Sequence, residues 1–356
     1  MARARGRESV YCLELGGEDD DFAACEARSA AGGVEVVGGG VAVAGHVDLK
    51  RARGLAYTHR VSELVGRTDA SVESARTLLR AASLDRDPDG TVAVRARDVR
   101  GATGVSTSRA ERELGQVLVD RGFSVDLDDP DDELRVLFAG PVDDRAGERG
   151  ESRQRSGGGE GVCLVGWLAG TSVRDFGDRR PTDRPFFQPG SMAPLDARAF
   201  ANVAGAGPGA TILDPMCGTG GVLVEAGLVG ARTVGVDAQR KMVRGARENL
   251  AAYLADAPPF DVIRGDATAL PIRDDAVDAV VFDAPYGRQS KVARHSLETL
   301  VAGALSEAHR VAPRAVVVAD RPWRTEARDA GWRLTDLFER RVHRSLVRYV
   351  HVLERA

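Results

Sequence analysis

Cysteine is scarce in this chain, and the four present are scattered. Cys12, Cys25, Cys163 and Cys217 form no C-x-x-C pair and have no histidine pair nearby, which argues against a zinc site or a disulfide framework, so no metal is expected. No stretch approaches the roughly 20 consecutive apolar residues that a membrane helix needs. The N-terminal Met1-Ala-Arg-Ala-Arg-Gly-Arg is basic, but it leads into Glu8 and a strand-like run rather than the apolar core of a signal peptide. The expected location is the cytoplasm, with no membrane partner. Lysine is nearly missing: of 49 cationic side chains only Lys50, Lys241 and Lys291 are not arginine. Arginine's planar fork grips phosphate with two hydrogen bonds and stacks on bases, yet a GC-rich coding bias gives the same excess. The net charge of −4 does not advertise nucleic-acid binding, so any such reading rests on where the arginines fall.

What the chain has is size, with 356 residues, 43% hydrophobic and 29% charged. That suffices for two or three domains with substantial cores. The chain is organised around Thr211 to Leu223. An apolar run (Ile212, Leu213) ends in Asp214, a turn with Gly218, Gly220 and Gly221 follows, and Val222, Leu223 and Ala226 open a helix. Strand, glycine turn and helix begin a doubly wound α/β sheet, whose ligand sits at the carboxyl ends of the strands. A further run, Thr233 to Val236, ends in Asp237, 23 residues on (237 − 214), where an acid takes the two hydroxyls of a ribose. The turn lacks G-x-G-x-x-G. A carboxylate at its start repels a pyrophosphate and suits a cationic group, as in the methionine end of S-adenosylmethionine. Gly265-Asp266-Ala267 follows a third strand (Phe260 to Ile263), placing Asp266 or the neighbouring backbone at Ala267 to bond an adenine amino group. Asp283-Ala284-Pro285-Tyr286 follows a fourth, Val277 to Phe282.

Read in order, Tyr11–Leu15, Asp19–Ala31, Val34–Val37 and Val41–Ala44 predict a small βαββ unit, too small to stand alone comfortably. Helices are predicted at about Ser71–Ala82 and Ser106–Arg121, strands at Thr91–Arg97, Ser124–Leu127, Leu134–Ala139 and Val162–Ala169. The Gly/Arg/Ser-rich Gly140–Gly161 reads as a loop. Arg174 to Pro189 reads as a linker, because its prolines discourage helix. Beyond the fourth strand, Lys291–Val311 reads as a helix, Arg314–Ala319 as a strand and Trp323–Ala330 as a short helix. Arg333–Arg340 and Leu346–Leu353 read as a closing hairpin turning at Arg341–Ser345. The expected domains are 1–48, 49–170, a linker at 171–190, and 191–356.

Three stretches carry a resemblance. Ala56-Tyr-Thr-His-Arg-Val-Ser and Val94-Arg-Ala-Arg-Asp-Val-Arg-Gly resemble the THUMP domain of RNA-modifying enzymes. Arg184-Pro-Phe-Phe-Gln-Pro-Gly-Ser-Met resembles the motif that precedes the glycine turn in tRNA guanosine N2-methyltransferases. Asp-Ala-Pro-Tyr at 283–286 resembles the (Asp/Asn)-Pro-Pro-(Tyr/Phe) motif of enzymes that methylate exocyclic amines, with a departure at Ala284. Across nearly its whole length the chain is similar to the archaeal THUMP-domain tRNA (guanosine-10) N2-methyltransferases. The resemblance implies an α/β chain: a class I, Rossmann-like methyltransferase domain with a C-terminal antiparallel hairpin, preceded by a ferredoxin-like and THUMP α+β module. It implies S-adenosylmethionine as cofactor and tRNA, not DNA, as partner; a monomer is the expected form.

The resemblance also implies roles. Pro189 and Ser191 would wrap the methionine end of the cofactor, and Asp214, Cys217 (as a small spacer), Gly218, Gly220, Asp237, Asp266, Ala267 and Asp283 would complete its site. Asp283, Pro285 and Tyr286 would be catalytic. An exocyclic amine is a poor nucleophile because its lone pair is delocalised into the ring; an acceptor such as Asp283 on its N–H returns electron density to nitrogen, and the Tyr286 ring offers a flipped base a stacking surface. His59, Arg60, Arg95, Arg97, Arg100 and Arg109 would bind RNA, although from the residues alone these arginines equally fit solvated strand edges. Two other readings stay open: methylation of another tRNA or rRNA guanosine, and a non-catalytic RNA-binding protein on a degenerate transferase fold.

Overall fold

Short alternating strands in the first half of the chain assemble into one eight-stranded sheet in the computed structural model, which describes residues 10–87, 89–142, 161–286, 296–343 and 346–355. Most of the loop expected at 140–161, the start of the helix expected from 291 and the end of the turn expected at 341–345 lie outside the described residues. The chain divides into two compact units, Met1–Val173 and Arg174–Ala356.

The first unit opens with β1 (Tyr11–Leu15), α1 (Asp20–Ala27), β2 (Ala31–Gly32), β3 (Glu35–Gly38), β4 (Val41–Ala44), β5 (His46–Val47) and α2 (Leu49–Ala52). It continues with β6 (Thr58–Asp69), α3 (Val72–Ala81), β7 (Thr91–Asp98), α4 (Thr107–Asp120), β8 (Ser124–Val125), β9 (Asp132–Ala139) and β10 (Val162–Thr171). The large sheet runs β3-β4-β1-β6-β10-β9-β7-β8. α3 and α4 pack on it through Val72, Leu79, Leu114 and Leu118 against Val136, Phe138 and Trp167. Ser71 and Ser106 cap these helices by accepting from Ser74 and Arg109 amides, as their sequence positions predict.

One expected bound changes, and two features were not expected. The first helix ends at Ala27 rather than Ala31, because Ala31 and Gly32 pair instead with Val47 and His46. A twelve-residue strand, β6, fills a stretch to which the sequence assigns no element; it bonds β1 on one side and β10 on the other. A Cβ at its Gly66 would crowd the Leu78 side chain of α3, at 2.8 Å. Because β6 joins β1 in one ladder, the expected boundary at residues 48–49 is crossed by a continuous sheet.

The second unit holds α5 (Pro194–Val203), β11 (Thr211–Asp214), α6 (Gly221–Leu228), β12 (Arg232–Asp237), α7 (Arg240–Tyr253), β13 (Phe260–Arg264) and β14 (Ala279–Asp283). Then come α8 (Leu297–Val311), β15 (Arg314–Ala319), α9 (Arg324–Asp329), β16 (Trp332–His343) and β17 (Leu346–Arg355). The sheet order is β13-β12-β11-β14-β15-β17-β16. The first five strands in that order are parallel, and β17 is antiparallel to both neighbours. This is the order of a class I methyltransferase sheet with its terminal hairpin. β12 and β14 flank β11 on opposite sides, which makes the carboxyl end of β11 a topological switch point. Among the described residues no helix is long and apolar enough to cross a membrane.

The stretch expected as a linker folds into the second unit, with 3-10 turns at Phe176–Arg179 and Pro181–Asp183. A buried ion cluster holds it there. Glu225 of α6 is fully buried and pairs with Arg179 at 2.9 Å and Arg198 at 2.8 Å, while Phe176 lies under both guanidinium groups. Removing one member of such a cluster leaves buried charge unpaired. Glu225→Ala is expected to destabilise the second unit by about 3–5 kcal/mol, read by urea denaturation; a loss under about 1 kcal/mol, the size typical of exposed pairs, would refute this.

Candidate active site

β11, β12 and β14 each end in a carboxylate: Asp214, Asp237 and Asp283. The turn after β11 is shaped to meet them. Gly218 (φ 50°) and Gly220 (φ 76°) occupy the left-handed region that side chains avoid. A Cβ on Gly220 would also stand 2.6 Å from Leu250, whereas one on Gly218 meets nothing within 4 Å, so that face of the turn is open. Cys217 is buried, donates its amide to Val236 O at 2.9 Å and lies against Gly235; burial pushes its thiol well above the usual range, as suits a spacer.

The turn borders a cleft lined by Pro189, Ser191, Asp214, Met216, Gly218 and Asp283, with Cys217, Thr219 and Met242 completing its wall. Pro189, Ser191, Asp214, Cys217, Gly218 and Asp283, all singled out in the sequence, thus come together. Among the described residues lining it, Gly220, Asp237, Asp266 and Ala267 are absent. Asp237 stands one step behind, its two oxygens accepting the amides of Gly218 (3.0 Å) and Gln239 (2.8 Å). Asp266 accepts the amide and hydroxyl of Thr268, and Ala267 packs into the core.

The electrostatics are anionic. Asp214 is raised well above the usual carboxylate range by burial and by repulsion from Asp237 and Asp283, against one amide bond from Met216. Burial also raises Asp237, against its two amide bonds. Asp283 is raised to about 6, burial outweighing the Arg348 guanidinium and a hydrogen bond from Tyr286.

The motif after β14 is tied down at three points. Ala284 donates its amide to Val318 O of β15 at 2.8 Å. Tyr286 Oη donates to Asp283 Oδ1 at 2.7 Å, and Arg348 Nε donates to Tyr286 Oη at 3.0 Å. Sequence reasoning expected a ring to stack on and missed the hydroxyl's role. It also missed Arg348 and Asp196, which lie in stretches without a motif. Pro285 sits partly exposed between these anchors.

The strap carrying Pro189 and Ser191 is seated on α7. Phe186 packs so closely over Gly245 that a Cβ there would fall 2.0 Å from its ring. Buried Asn249 accepts from the Phe186 amide and donates to Phe186 O and Thr219 O, at 2.8–2.9 Å. Ser191 Oγ lies 2.7 Å from Gln188 O and 3.2 Å from Thr219 Oγ1. Gly245 and Asn249 carry no recognisable signal, since each matters only through its partner across the fold.

The residues expected to bind RNA all lie in the first unit. Arg60 and Arg97 face buried Glu14 at 3.6 and 3.3 Å. Arg100 pairs with Asp20 at 2.6 Å, and Arg109 with Glu113 at 2.7 Å and Glu73 at 2.5 Å. Arg95 donates to Leu127 O, and His59 is partly exposed on β6.

Raised carboxylates carry a testable cost. A carboxyl whose folded pKa exceeds its unfolded one destabilises the fold increasingly as pH climbs above the unfolded value. Asp214→Asn keeps the acceptor for Met216 N and removes the charge. It is expected to raise the Tm of the ligand-free protein by about 2–6 °C at pH 8, with the gain fading toward pH 4. An equal gain at both pH values, or a lower Tm at pH 8, would overturn this account.

A family model described as the RMKL-like methyltransferase domain (UPF0020) matches residues 181–350. A tRNA (guanine(10)-N2)-dimethyltransferase of Methanothermobacter thermautotrophicus is 36% identical over 85% of this chain and 83% of its own. One of the same description from Pyrococcus abyssi is 28% identical over 87% of each. Among solved structures, TrmN from Thermus thermophilus is 23% identical, covering 98% of this chain and 100% of its own, at a TM-score of 0.48. Identity at the first of these levels, over most of both chains, shows that the chain belongs to the family of the tRNA (guanine(10)-N2)-dimethyltransferases.

Proposed function

We propose that this chain methylates the exocyclic N2 of a guanosine in tRNA, at position 10, giving N2-methyl- and N2,N2-dimethylguanosine with S-adenosylmethionine as donor. The observation that carries the proposal is the junction of Asp283 with the cleft that also holds Asp214. A cleft walled by two carboxylates, Asp214 and Asp283, with Asp237 one step behind, suits a ligand bearing sulfonium and ammonium charges; burial raises all three acids. Asp237, whose oxygens each keep a spare lone pair after accepting one amide, fits the ribose hydroxyls. The sulfonium supplies an already activated methyl.

The protein's part is then orientation and charge. Asp283 accepts a hydrogen bond from the guanine amine, localising its lone pair as the N–C bond forms and the C–S bond breaks with its electrons left on sulfur. The surplus proton leaves nitrogen for Asp283 or water. The first unit, 1–173, serves as the tRNA-binding half, including a THUMP-like portion at 49–170; the arginines at 60, 97, 100 and 109 reach phosphate from positions held by carboxylates, and Arg95 from one held by Leu127 O. The enzyme works in the cytoplasm, as a monomer.

Incubation of the full chain with unmodified tRNA and labelled methyl donor, followed by nucleotide mapping, tests the target: N2-methylated guanosine at position 10 is expected, and N6-methyladenosine as product would sink the reading. Asp283→Ala is expected to lower the single-turnover rate by about 10²–10³-fold, with donor and tRNA affinities within a few fold. A large loss of tRNA binding with a normal single-turnover rate would contradict the role given to Asp283.

A further inference from the structure

Asp283 is held by more than its own strand. Arg348 of β17 is 7% exposed at its side chain, and its guanidinium faces three oxygens. Nε donates to Tyr286 Oη at 3.0 Å, Nη1 lies 3.5 Å from Asp196 Oδ2, and Nη2 lies 3.8 Å from Asp283 Oδ2. Arg340, the cross-strand partner of Arg348 in the hairpin, reaches Asp196 from β16 at 3.3 Å. Two arginines and two carboxylates from four elements therefore balance in charge beside the cleft.

We infer that Arg348 is a positioning residue for methyl transfer, holding Tyr286 and Asp283 as one oriented pair so that Asp283 presents its lone pairs to the incoming amine. The inference rests on the function proposed above. Only a planar fork reaches a phenol oxygen and two carboxylates at once; a lysine offers a single point of charge on a flexible stem.

The charges around Asp283 give this role a signature. Asp196 of α5, Asp320 beyond β15 and burial favour the neutral acid; Arg348 and the Tyr286 hydroxyl favour the carboxylate. Asp283 and Asp237 in turn repel Asp214. Arg348 is the counter-charge among these, so without it Asp283 takes up its proton at higher pH and loses its acceptor strength over a wider range.

The test compares wild type with Arg348→Met and Arg348→Lys. Single-turnover methylation of tRNA is followed from pH 5 to 9, and S-adenosylmethionine binding is measured by calorimetry over the same range without RNA. In Arg348→Met the acid limb of the rate profile should move up by about one pH unit or more. The rate should fall by about 10-fold to 100-fold at pH 7 and recover in part at pH 9. Donor affinity at pH 8 should stay within about three-fold of wild type, and the midpoint of its pH dependence should shift upward with the rate. Arg348→Lys should fall between the two, and it carries the test if the Met variant fails to fold. A rate loss independent of pH, or an unmoved acid limb in both variants, would reduce Arg348 to a structural part and overturn the inference. If wild type methylates no tRNA guanosine, the proposed function fails, while the shift in the binding midpoint still reports on Arg348.

Discussion

Burial of three carboxylates, Asp214, Asp237 and Asp283, at one sheet edge is the constraint around which the second unit is built. Each carboxylate ends a strand, and the parallel register of β12, β11 and β14 brings the three ends to one edge. Burial there costs the charged forms, and the backbone offsets part of that cost with amides of Met216, Gly218 and Gln239. The Met216 and Gln239 amides each lie two residues after the acid they meet, as in an Asx turn, and the Gly218 amide lies in the glycine turn. The remainder is carried by the core beneath, where Leu213, Val280, Phe282, Leu305 and Val317 are almost wholly buried. A site kept unfavourable for itself and favourable for a cation is stability exchanged for binding.

Two segments distant in sequence complete that edge. The strap at 174–193 is anchored at one end by the Glu225 ion cluster and at the other by Asn249, whose amide joins the strap to the glycine turn. The terminal hairpin enters from the opposite side. Because β17 inserts between β15 and β16 rather than adding at the edge, Arg348 arrives next to Asp283 with its guanidinium buried. The hairpin therefore contributes chemistry to the site as well as width to the sheet.

The sequence made the second unit legible because its signals are local. An apolar run, an acid and a glycine turn lie within a few residues, so the strand ends and their carboxylates could be read in place. The capped helices α3 and α4 were legible for the same reason. β6 was not, because its burial varies without a clear period along the strand and its pairing depends on β1 and β10. Arg348, Asp196, Gly245 and Asn249 were invisible for a related reason: each acquires its meaning from a contact distant in sequence, as between Phe186 and Asn249, 63 residues apart, or Tyr286 and Arg348, 62 apart. The strap read as a linker because prolines forbid long helices, yet they leave room for 3-10 turns pinned by side chains.

Ala284 shows how a departure from a family motif is absorbed. A proline at this position would restrict the unfolded chain and stabilise the fold by about 0.4–1 kcal/mol, but it has no amide to donate. Alanine loses that restriction and gains the bond to Val318 O at 2.8 Å, a contribution of about 0.5–1.5 kcal/mol. The two effects are of the same size, and both act on the same backbone stretch. The alanine side chain is itself buried, 3% exposed, in the core beside Phe282, so the substitution opens no polar surface. Pro285 still biases residue 284 toward an extended backbone. A strand hydrogen bond thus fixes the backbone at 284 as well as a second ring would.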